Sequence, residues 1–170
     1  MSGHHLIKMA DLKNILTDAG LLQVKTYLQS GNLVFNSDQT NKKILENIIS
    51  EAIQHGFGFQ INVKVIEKKV FLSAFLNNPF VNRPGIETKQ LYYLHLMGTA
   101  DQTAFIELQN DPRYSEQMIL RGELIYFYYP NGYGRSKLHG SIVEKKIKVS
   151  ITARNHNTMQ QLAKLLTGNE

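Results

Sequence analysis

Apolar residues recur at two spacings along the chain, and the change from one spacing to the other outlines helices and strands. In the first half, helical spacing covers residues 8–19 and 37–55, and alternating or short apolar runs cover 24–29, 33–35 and 60–66. Polar residues at 30–32 separate the first two strands and predict a hairpin turn. The first half is therefore expected to run α-β-β-α-β.

The second half of the chain shows a longer version of the same order. Its predicted elements are strands at 90–97, 117–120, 124–129 and 148–151 and helices at 101–109, 136–146 and 157–166. The order β-α-β-β-α-β, followed by a helix, is that of a ferredoxin-like unit. We therefore predict an α+β protein of two ferredoxin-like halves, the first lacking its N-terminal strand, with a C-terminal helix.

A short predicted helix at 68–76 and a Pro/Gly-containing linker at 82–87 separate the halves. The predicted domains are 1–81, with the linking helix, and 82–170. The first strand of a ferredoxin-like sheet is central, so its absence would leave backbone groups unpaired. The first sheet is expected to be rearranged, filled by a neighbouring segment or chain, or locally unstable. Self-association through this incomplete sheet is one consequence.

Short polar residues and glycines mark the expected helix ends. Gly20 and Gly56 are predicted to follow the first and second helices. The residues expected to cap helices at their N-termini are Ser37, Asp38 or Thr40 for the second helix, Asp101, Ser136, and Asn155, Asn157 or Thr158 for the last helix.

Composition limits the class of protein. The chain has 170 residues, no cysteine and a formal net charge of +5. The lack of cysteine excludes disulfides, thiolate nucleophiles and cysteine-ligated metals. No apolar run approaches the ~20 residues that span a bilayer, and no signal peptide is visible. We expect a soluble cytoplasmic protein that makes no use of a membrane, and its scattered basic residues permit a polyanionic partner without requiring one.

Two polar segments of the second half are candidates for binding an anion. They read Gly-Tyr-Gly-Arg-Ser-Lys at 132–137 and Thr-Ala-Arg-Asn-His-Asn-Thr at 152–158, and both are expected to be turns that lead into helices. Glycines let backbone N–H groups approach an oxyanion, and an arginine can make two parallel bonds to a phosphate or carboxylate. The expected ligand-binding residues are Tyr133, Gly134, Arg135, Ser136, Lys137, Arg154 and Asn155. Arg135 and Arg154 are expected to lie near one another.

Structural roles also account for these two segments without any bound anion. The glycines suit a turn after a strand, Ser136 suits a helix cap, and Arg154 suits a pair with a carboxylate. The Walker spacing of phosphate-binding loops is absent. His156 could titrate near neutral pH, but the sequence identifies no carboxylate partner for it. Catalytic residues and cofactors are unknown, and no cluster has the spacing of a metal site.

Five short motifs together resemble a known bacterial family. They are Lys-Met-Ala-Asp-Leu at 8–12, Thr-Tyr-Leu-Gln-Ser-Gly-Asn-Leu-Val-Phe at 26–35, Asn-Pro-Phe at 78–80, Gly-Arg-Ser-Lys-Leu at 134–138 and Thr-Ala-Arg-Asn at 152–155. The family is the one called domain of unknown function 1697, and the resemblance runs over nearly the whole chain. It implies an α+β fold of two ferredoxin-like halves, and it carries no established activity, substrate or catalytic residue. Members usually begin with a strand that has no counterpart here, which implies a shortened N-terminus.

Three functions follow from these observations. The leading interpretation is a protein that binds a small anionic or nucleotide-like ligand at the two polar segments. The first alternative is an enzyme that acts on such a ligand, with the same cations stabilising negative charge. The second is an RNA- or DNA-binding module, in which the aromatic strands at 91–95 and 126–129 would stack bases if their rings were exposed.

Overall fold

The computed structural model describes residues 7–27 and 31–168. The expected shortened N-terminus falls on residues 1–6, and the end of the first predicted strand and the start of its turn fall on 28–30. Both lie outside the described residues. The chain forms two compact units, one of Met1–Val70 with Lys164–Glu170 and one of Phe71–Ala163. Whether the predicted domains 1–81 and 82–170 fold independently stays a prediction.

The protein is a mixed α/β structure with two antiparallel sheets and six helices in its described part. In chain order its elements are α1 Met9–Asp18, β1 Leu22–Tyr27, β2 Asn32–Asn36, α2 Lys42–Phe57, α3 Lys68–Leu76, β3 Leu91–Leu96, α4 Gln102–Gln109, β4 Gln117–Arg121, β5 Leu124–Tyr128, α5 Gly140–Ile147, β6 Ile151–Asn155 and α6 His156–Thr167. None of the helices within the described ranges combines the length and apolar character needed to cross a membrane.

In the first unit, two helices and a two-stranded ribbon enclose an apolar core. Leu12 and Leu16 of α1 and the buried stripe of α2 supply most of it, together with Val24 of β1. Strands β1 and β2 pair antiparallel, with Thr26 opposite Leu33. The ribbon covers the core with Leu33 and Phe35, so one of its faces is apolar.

The strand predicted at 60–66 is not seen in the part of the chain that the structure describes. Residues 59–67 have no regular secondary structure, although Ile61, Val63 and Val65 pack against the core of the first unit. Two side chains of α2 bond to this backbone: Glu46 accepts from the Val65 N–H at 3.0 Å, and the Ser50 hydroxyl donates to the Ile61 carbonyl at 3.2 Å. The alternating pattern correctly predicted which side chains pack against the core, where they are partly buried. It did not predict whether a neighbouring strand would be present.

Helix α2 begins and ends later than predicted. Asn41 is its cap, because the Asn41 side chain accepts from the N–H groups of Lys43 and Ile44, and neither Ser37, Asp38 nor Thr40 has this role. Gly58, with φ of 80°, ends the helix in the left-handed conformation that glycine adopts most readily. Gly56 instead lies inside the helix, where a methyl group would collide with the Ile15 side chain of α1.

The second unit is a four-stranded antiparallel sheet with helices α4 and α5 on one face. The strand order is β4-β5-β3-β6, and the element order β3-α4-β4-β5-α5-β6 is the one predicted. Apolar side chains of one sheet face and of both helices form a single core, which includes Leu94, Phe127 and Val143. The predicted cap of α4 is confirmed, since Asp101 accepts from the Ala104 N–H at 3.0 Å.

Two boundaries in the second unit differ from the prediction. Helix α5 begins at Gly140 rather than near Ser136, because a 3₁₀ turn over Tyr133–Arg135 and an extended Ser136 come first. Strand β6 begins at Ile151 rather than at residue 148, since Lys148 ends α5 with a φ of 58°. As a result, residues 152–155 form a strand and not a turn.

Candidate functional site

The segment after β5 is a compact turn held mainly by its own backbone. The N–H of Gly132 donates to the Tyr129 carbonyl at 3.0 Å, and that of Arg135 donates to Gly132 at 3.2 Å. The N–H of Ser136 donates to the Tyr133 carbonyl at 3.1 Å. Three N–H groups are therefore used inside the turn. Those of Tyr133, Gly134 and Lys137 make no backbone bond within the described part of this unit, so the predicted backbone cradle is reduced to them.

Ser136 fixes the turn to the rest of the unit and is not a helix cap. Its side chain is buried, its hydroxyl donates to the Glu116 carboxylate, and its oxygen accepts from the Leu138 N–H at 2.9 Å. The N-cap position of α5 is His139, whose side chain makes no capping bond. Ser136 thus positions the turn, and its hydroxyl is already occupied by protein partners.

A group of aromatic rings supports the turn from below. The Tyr133 ring stacks on Tyr92 at a centroid distance of 4.8 Å, and it meets Tyr129 and His139 edge-on at 5.2 and 5.5 Å. Tyr129 is buried, whereas Tyr133 keeps 36% of its surface exposed. Burial raises the pKa of Tyr129 and of Tyr92, so these hydroxyls stay protonated at neutral pH and do not act as bases. The cluster fixes the Tyr133 ring in place and leaves part of it open to a ligand.

Arg135 and Lys137 are the two cations of the turn, and both side chains are exposed. Neither forms a salt bridge or side-chain hydrogen bond with any residue in the described ranges. The half-buried Glu116 carboxylate contacts the same turn through Ser136. The turn therefore presents two unengaged positive charges beside an exposed aromatic surface.

Arg154 and Asn155 have structural partners of their own in and after strand β6. The Arg154 Nη1 donates to Thr152 Oγ1 and to the Ala153 carbonyl, both at 2.8 Å. Burial lowers the pKa of this guanidinium. The Asn155 side chain accepts from the Thr158 N–H at 2.8 Å and so caps α6. The predicted cap is confirmed for Asn155, and the predicted turn at 152–155 is wrong because these residues pair with β3.

Arg154 and the turn of residues 132–137 lie on opposite faces of the sheet. Ala153 and Ile151 pack into the core beneath α4 and α5, so Arg154 points to the other face. Tyr133 stacks on Tyr92, which belongs to the helix-covered face. The two hydrogen bonds of the Arg154 guanidinium described above are to residues of its own strand. The geometry brings residues 133–137 together and places Arg154 on the opposite face. Asn155 instead lies opposite Tyr92 in the β3–β6 pair, on the same face as the turn.

A buried polar cluster on the Arg154 face was not identified from the sequence as a unit. The Tyr93 hydroxyl lies 3.0 Å from His156 Nδ1, and the Phe75 ring lies 5.1 Å from the His156 ring. Burial lowers the pKa of His156 and raises that of Tyr93 to about 12. Asn78 is also buried in this unit, and its Oδ1 accepts from the Phe80 N–H. Its Nδ2 has no hydrogen-bond partner among the described residues. The sequence signals were the Asn-Pro-Phe motif at 78–80 and His156, for which no partner was identified.

Other candidate sites in the second unit are weaker. A pocket of about 460 Å³ lies between α4 and the end of α5, and it is lined by three acidic and three basic side chains with no net preference for either charge. Two of its acids already have partners: Asp111 pairs with Arg113, and Asp101 caps α4. No group of three or more metal-ligating side chains occurs within residues 7–27 and 31–168.

Comparison with known proteins gives a family and a fold. The model of the family described as "Protein of unknown function (DUF1697)" matches residues 1–126. A solved structure of a conserved bacterial protein from Streptococcus pneumoniae is similar with a TM-score of 0.74 at 20% identity, covering 98% of this chain and 92% of that chain. At this identity the likeness concerns the fold alone. No curated protein has a significant match to the chain. The family match ends before the turn at 132–137, so it says nothing about the candidate site.

Proposed function

The chain belongs to the DUF1697 family, and from this premise we propose that it is a cytoplasmic binding protein for a small anionic, nucleotide-like ligand. The ligand is held at the turn of residues 132–139. Arg135 and Lys137 bind its phosphate or carboxylate groups, and Tyr133 contacts its ring. The absence of cysteine is compatible with a reducing compartment.

The pairing of free cations with a rigid aromatic surface carries this proposal. A guanidinium can bond two oxygens of a phosphate at once, and an ammonium adds charge without a fixed direction. Among the described residues, no carboxylate forms a salt bridge with Arg135 or Lys137 and so competes with a ligand. Free N–H groups at Gly134 and Lys137 add donors of the kind that surround phosphates in other turns.

The exposed part of Tyr133 favours a ligand with an aromatic ring over a simple anion. Stacking of a base on an aromatic side chain contributes ~1–3 kcal/mol. The Tyr133 ring is already held by Tyr92, Tyr129 and His139, so little side-chain freedom is lost when a ligand binds. We therefore expect a nucleotide to bind more tightly than inorganic phosphate.

The alternatives find less support at this turn. An enzyme needs an acid or base near the ligand. The nearby Glu116 carboxylate is engaged by Ser136 and burial raises the pKa of the Tyr92 and Tyr129 hydroxyls, which leaves His139 as the nearest such group. Base stacking on the sheet needs exposed rings. Tyr93, Tyr126, Phe127 and Tyr129 are instead buried within the second unit.

Titration calorimetry with adenosine 5′-monophosphate, inorganic phosphate and adenosine tests the proposal. We expect the nucleotide to bind best, because only it offers both a ring and an anion. Arg135→Ala should raise its Kd about tenfold, the effect of losing roughly 1.4 kcal/mol of charge-assisted bonding. Lys137→Ala should raise it less, since an exposed ammonium is more strongly screened.

Matched variants separate the site from general charge and from folding. Lys145→Ala removes an exposed charge of α5 outside the turn and should leave the Kd unchanged. Tyr133→Phe keeps the stacked ring and should bind normally, whereas Tyr133→Ala should not. Equal weakening by Lys145→Ala would show a diffuse charge effect. No binding by the wild-type chain, or binding unaffected by Arg135→Ala, would remove the turn as the site.

We also propose that both units are ferredoxin-like, the first without a described first strand. The β-α-β-β-α-β order and the strand order of the second unit support this reading. The first unit has the elements α1, β1, β2 and α2 in the corresponding order, followed by the core-packed segment 59–67. An experimental structure in which β1 and β2 belong to a sheet of different strand order would overturn the assignment.

A further inference from the structure

Exposed and buried side chains alternate along residues 135–138, at the end of the candidate turn. Ser136 has an extended backbone, with φ of −71° and ψ of 142°, and its side chain is buried and bonded to Glu116. The Leu138 side chain is buried as well, whereas Arg135 and Lys137 are exposed. In an extended chain, alternate side chains point to the same side. The two cations therefore leave the protein surface side by side.

The spacing of the two cations fits two anionic groups better than one. Residues two apart in an extended chain have Cα atoms about 6–7 Å apart. The Ser136 N–H donates to the Tyr133 carbonyl and the Leu138 N–H donates to Ser136 Oγ, so the backbone is held on both sides of this step. If both cations bound one phosphate, two like charges would have to approach each other. Two adjacent phosphates would instead give each cation its own partner.

The order of the functional groups along the turn corresponds to the order of groups in a nucleoside diphosphate. The Tyr133 ring comes first, and Tyr92 and Tyr129 hold it in place. The Arg135 guanidinium follows, and the Lys137 ammonium is last. A base on Tyr133 thus leaves its nearer phosphate at Arg135 and its outer phosphate at Lys137. The guanidinium can make two bonds to the nearer group, and the ammonium can bind the outer one without a fixed direction.

We propose that the turn selects a nucleoside diphosphate over the monophosphate, with Arg135 on the phosphate next to the ribose and Lys137 on the outer one. This inference rests on the proposed nucleotide site and specifies the class of ligand that the site takes. The Glu116 carboxylate bonded to Ser136 weakens the attraction of the turn for every anion. The selection therefore comes from the placement of the two cations side by side rather than from total charge.

Titration calorimetry with three adenine nucleotides, in EDTA to remove divalent cations, tests the selection. Adenosine 5′-diphosphate should bind about fivefold more tightly than adenosine 5′-monophosphate, which is the upper range for one additional exposed ion pair. Adenosine 3′,5′-bisphosphate carries at least the charge of the diphosphate but holds its two phosphates apart on the ribose. It should therefore bind like the monophosphate. This comparison uses the wild-type chain and does not depend on the folding of any variant.

Variants of the two cations should change different quantities. Lys137→Met keeps the aliphatic part of the side chain without its charge, so it should abolish the advantage of the diphosphate over the monophosphate. Lys137→Arg keeps a charge at this position and should retain that advantage. Arg135→Ala should weaken both ligands about equally, because both carry the phosphate that the guanidinium binds. The control Lys145→Ala removes an exposed charge of α5 and should leave the full difference between the two ligands.

The possible results distinguish this inference from the proposed function. Equal Kd values for the monophosphate and the diphosphate would overturn the selection and leave the nucleotide site intact. Binding of the bisphosphate as tightly as the diphosphate would overturn it too, because charge alone would then decide. An advantage of the diphosphate that persists in folded Lys137→Met would place the outer phosphate elsewhere. Binding of neither nucleotide by the wild-type chain would overturn both proposals.

Discussion

The imidazole of His156 lies at the first residue of α6 and is buried between aromatic rings. Its Nδ1 is 3.0 Å from the Tyr93 hydroxyl, which donates to it when the imidazole is neutral. A positive charge here would lose solvation and would also face the positive end of the helix. Burial accordingly lowers the pKa of His156 below the unfolded value of about 6.5.

We predict that His156 makes the protein less stable in mild acid. Its folded pKa is lower than its unfolded pKa, so the unfolded chain binds more protons as the pH falls below about 6.5. The contribution is complete above that pH and is lost as the pH falls toward the folded pKa. Urea unfolding at a series of pH values should show a steeper acid loss for the wild-type chain than for His156→Gln.

Tyr93→Phe serves as the matched control for this effect. It keeps the ring that packs against His156 and removes only the hydroxyl. Its loss of stability should be largest at neutral pH, where the neutral imidazole accepts the bond. If the wild-type chain and His156→Gln lose stability in parallel between pH 7 and 5, His156 is not the group responsible.

Single residues of the candidate site were predicted with mixed success, for identifiable reasons. Arg135 and Lys137 are exposed loop cations, as their local sequence indicates. Ser136 looked like a helix cap because it precedes a helical pattern, but its hydroxyl bonds to Glu116, twenty residues away in sequence. Arg154 looked like a turn residue until pairing with β3 placed it in a strand. Both errors concern contacts distant in sequence, which local patterns do not contain.

At the scale of elements, the end of α2 depends on one backbone conformation. Gly58 has φ of 80°, and its N–H donates to the Gln54 carbonyl at 2.8 Å. A Cβ atom added at this position would have no other atom within 4 Å, so contacts with neighbouring residues do not explain why glycine is needed here. The requirement is the left-handed conformation itself, which costs other residues ~1–2 kcal/mol.

We predict that Gly58→Ala destabilises the protein by about 1 kcal/mol and that Gly58→Asn costs less, since asparagine tolerates this conformation. Thermal unfolding monitored by circular dichroism measures both. Gly134→Ala is the control, because Gly134 also has open space around it but lacks the positive φ. Equal effects at the two glycines would show that backbone conformation at Gly58 is not what matters.

Periodicity predicted the type and order of most elements but not their ends. Helices α1, α3 and α4 and strands β3, β4 and β5 lie within a few residues of the predicted ranges. The ends of α2 were misplaced because several polar residues and two glycines were equally suitable. Gly58 has the positive φ that ends the helix, whereas Gly56 lies inside the helix beside the Ile15 side chain. The strand at 60–66 failed for a different reason: a strand also needs a neighbour, which its own sequence does not specify.

At the scale of the whole molecule, the two units differ in how their backbone polar groups are satisfied. In the second unit, β3 pairs on both sides, with β5 and with β6. In the first, segment 59–67 is anchored by apolar side chains and by bonds from Glu46 and Ser50, without a strand partner among the described residues. Local opening of such a segment breaks few hydrogen bonds and should need little free energy.

We therefore predict a sharp contrast in amide hydrogen exchange between the two units. Amides at 61–65 should exchange more than about tenfold faster than those of β3, because opening the central strand costs a larger share of the global stability. Val65 should be the slowest of the five, since its N–H alone donates to a described carboxylate, and Glu46→Ala should remove that difference. Equal protection of 61–65 and β3 would mean that the segment has backbone partners outside the described residues.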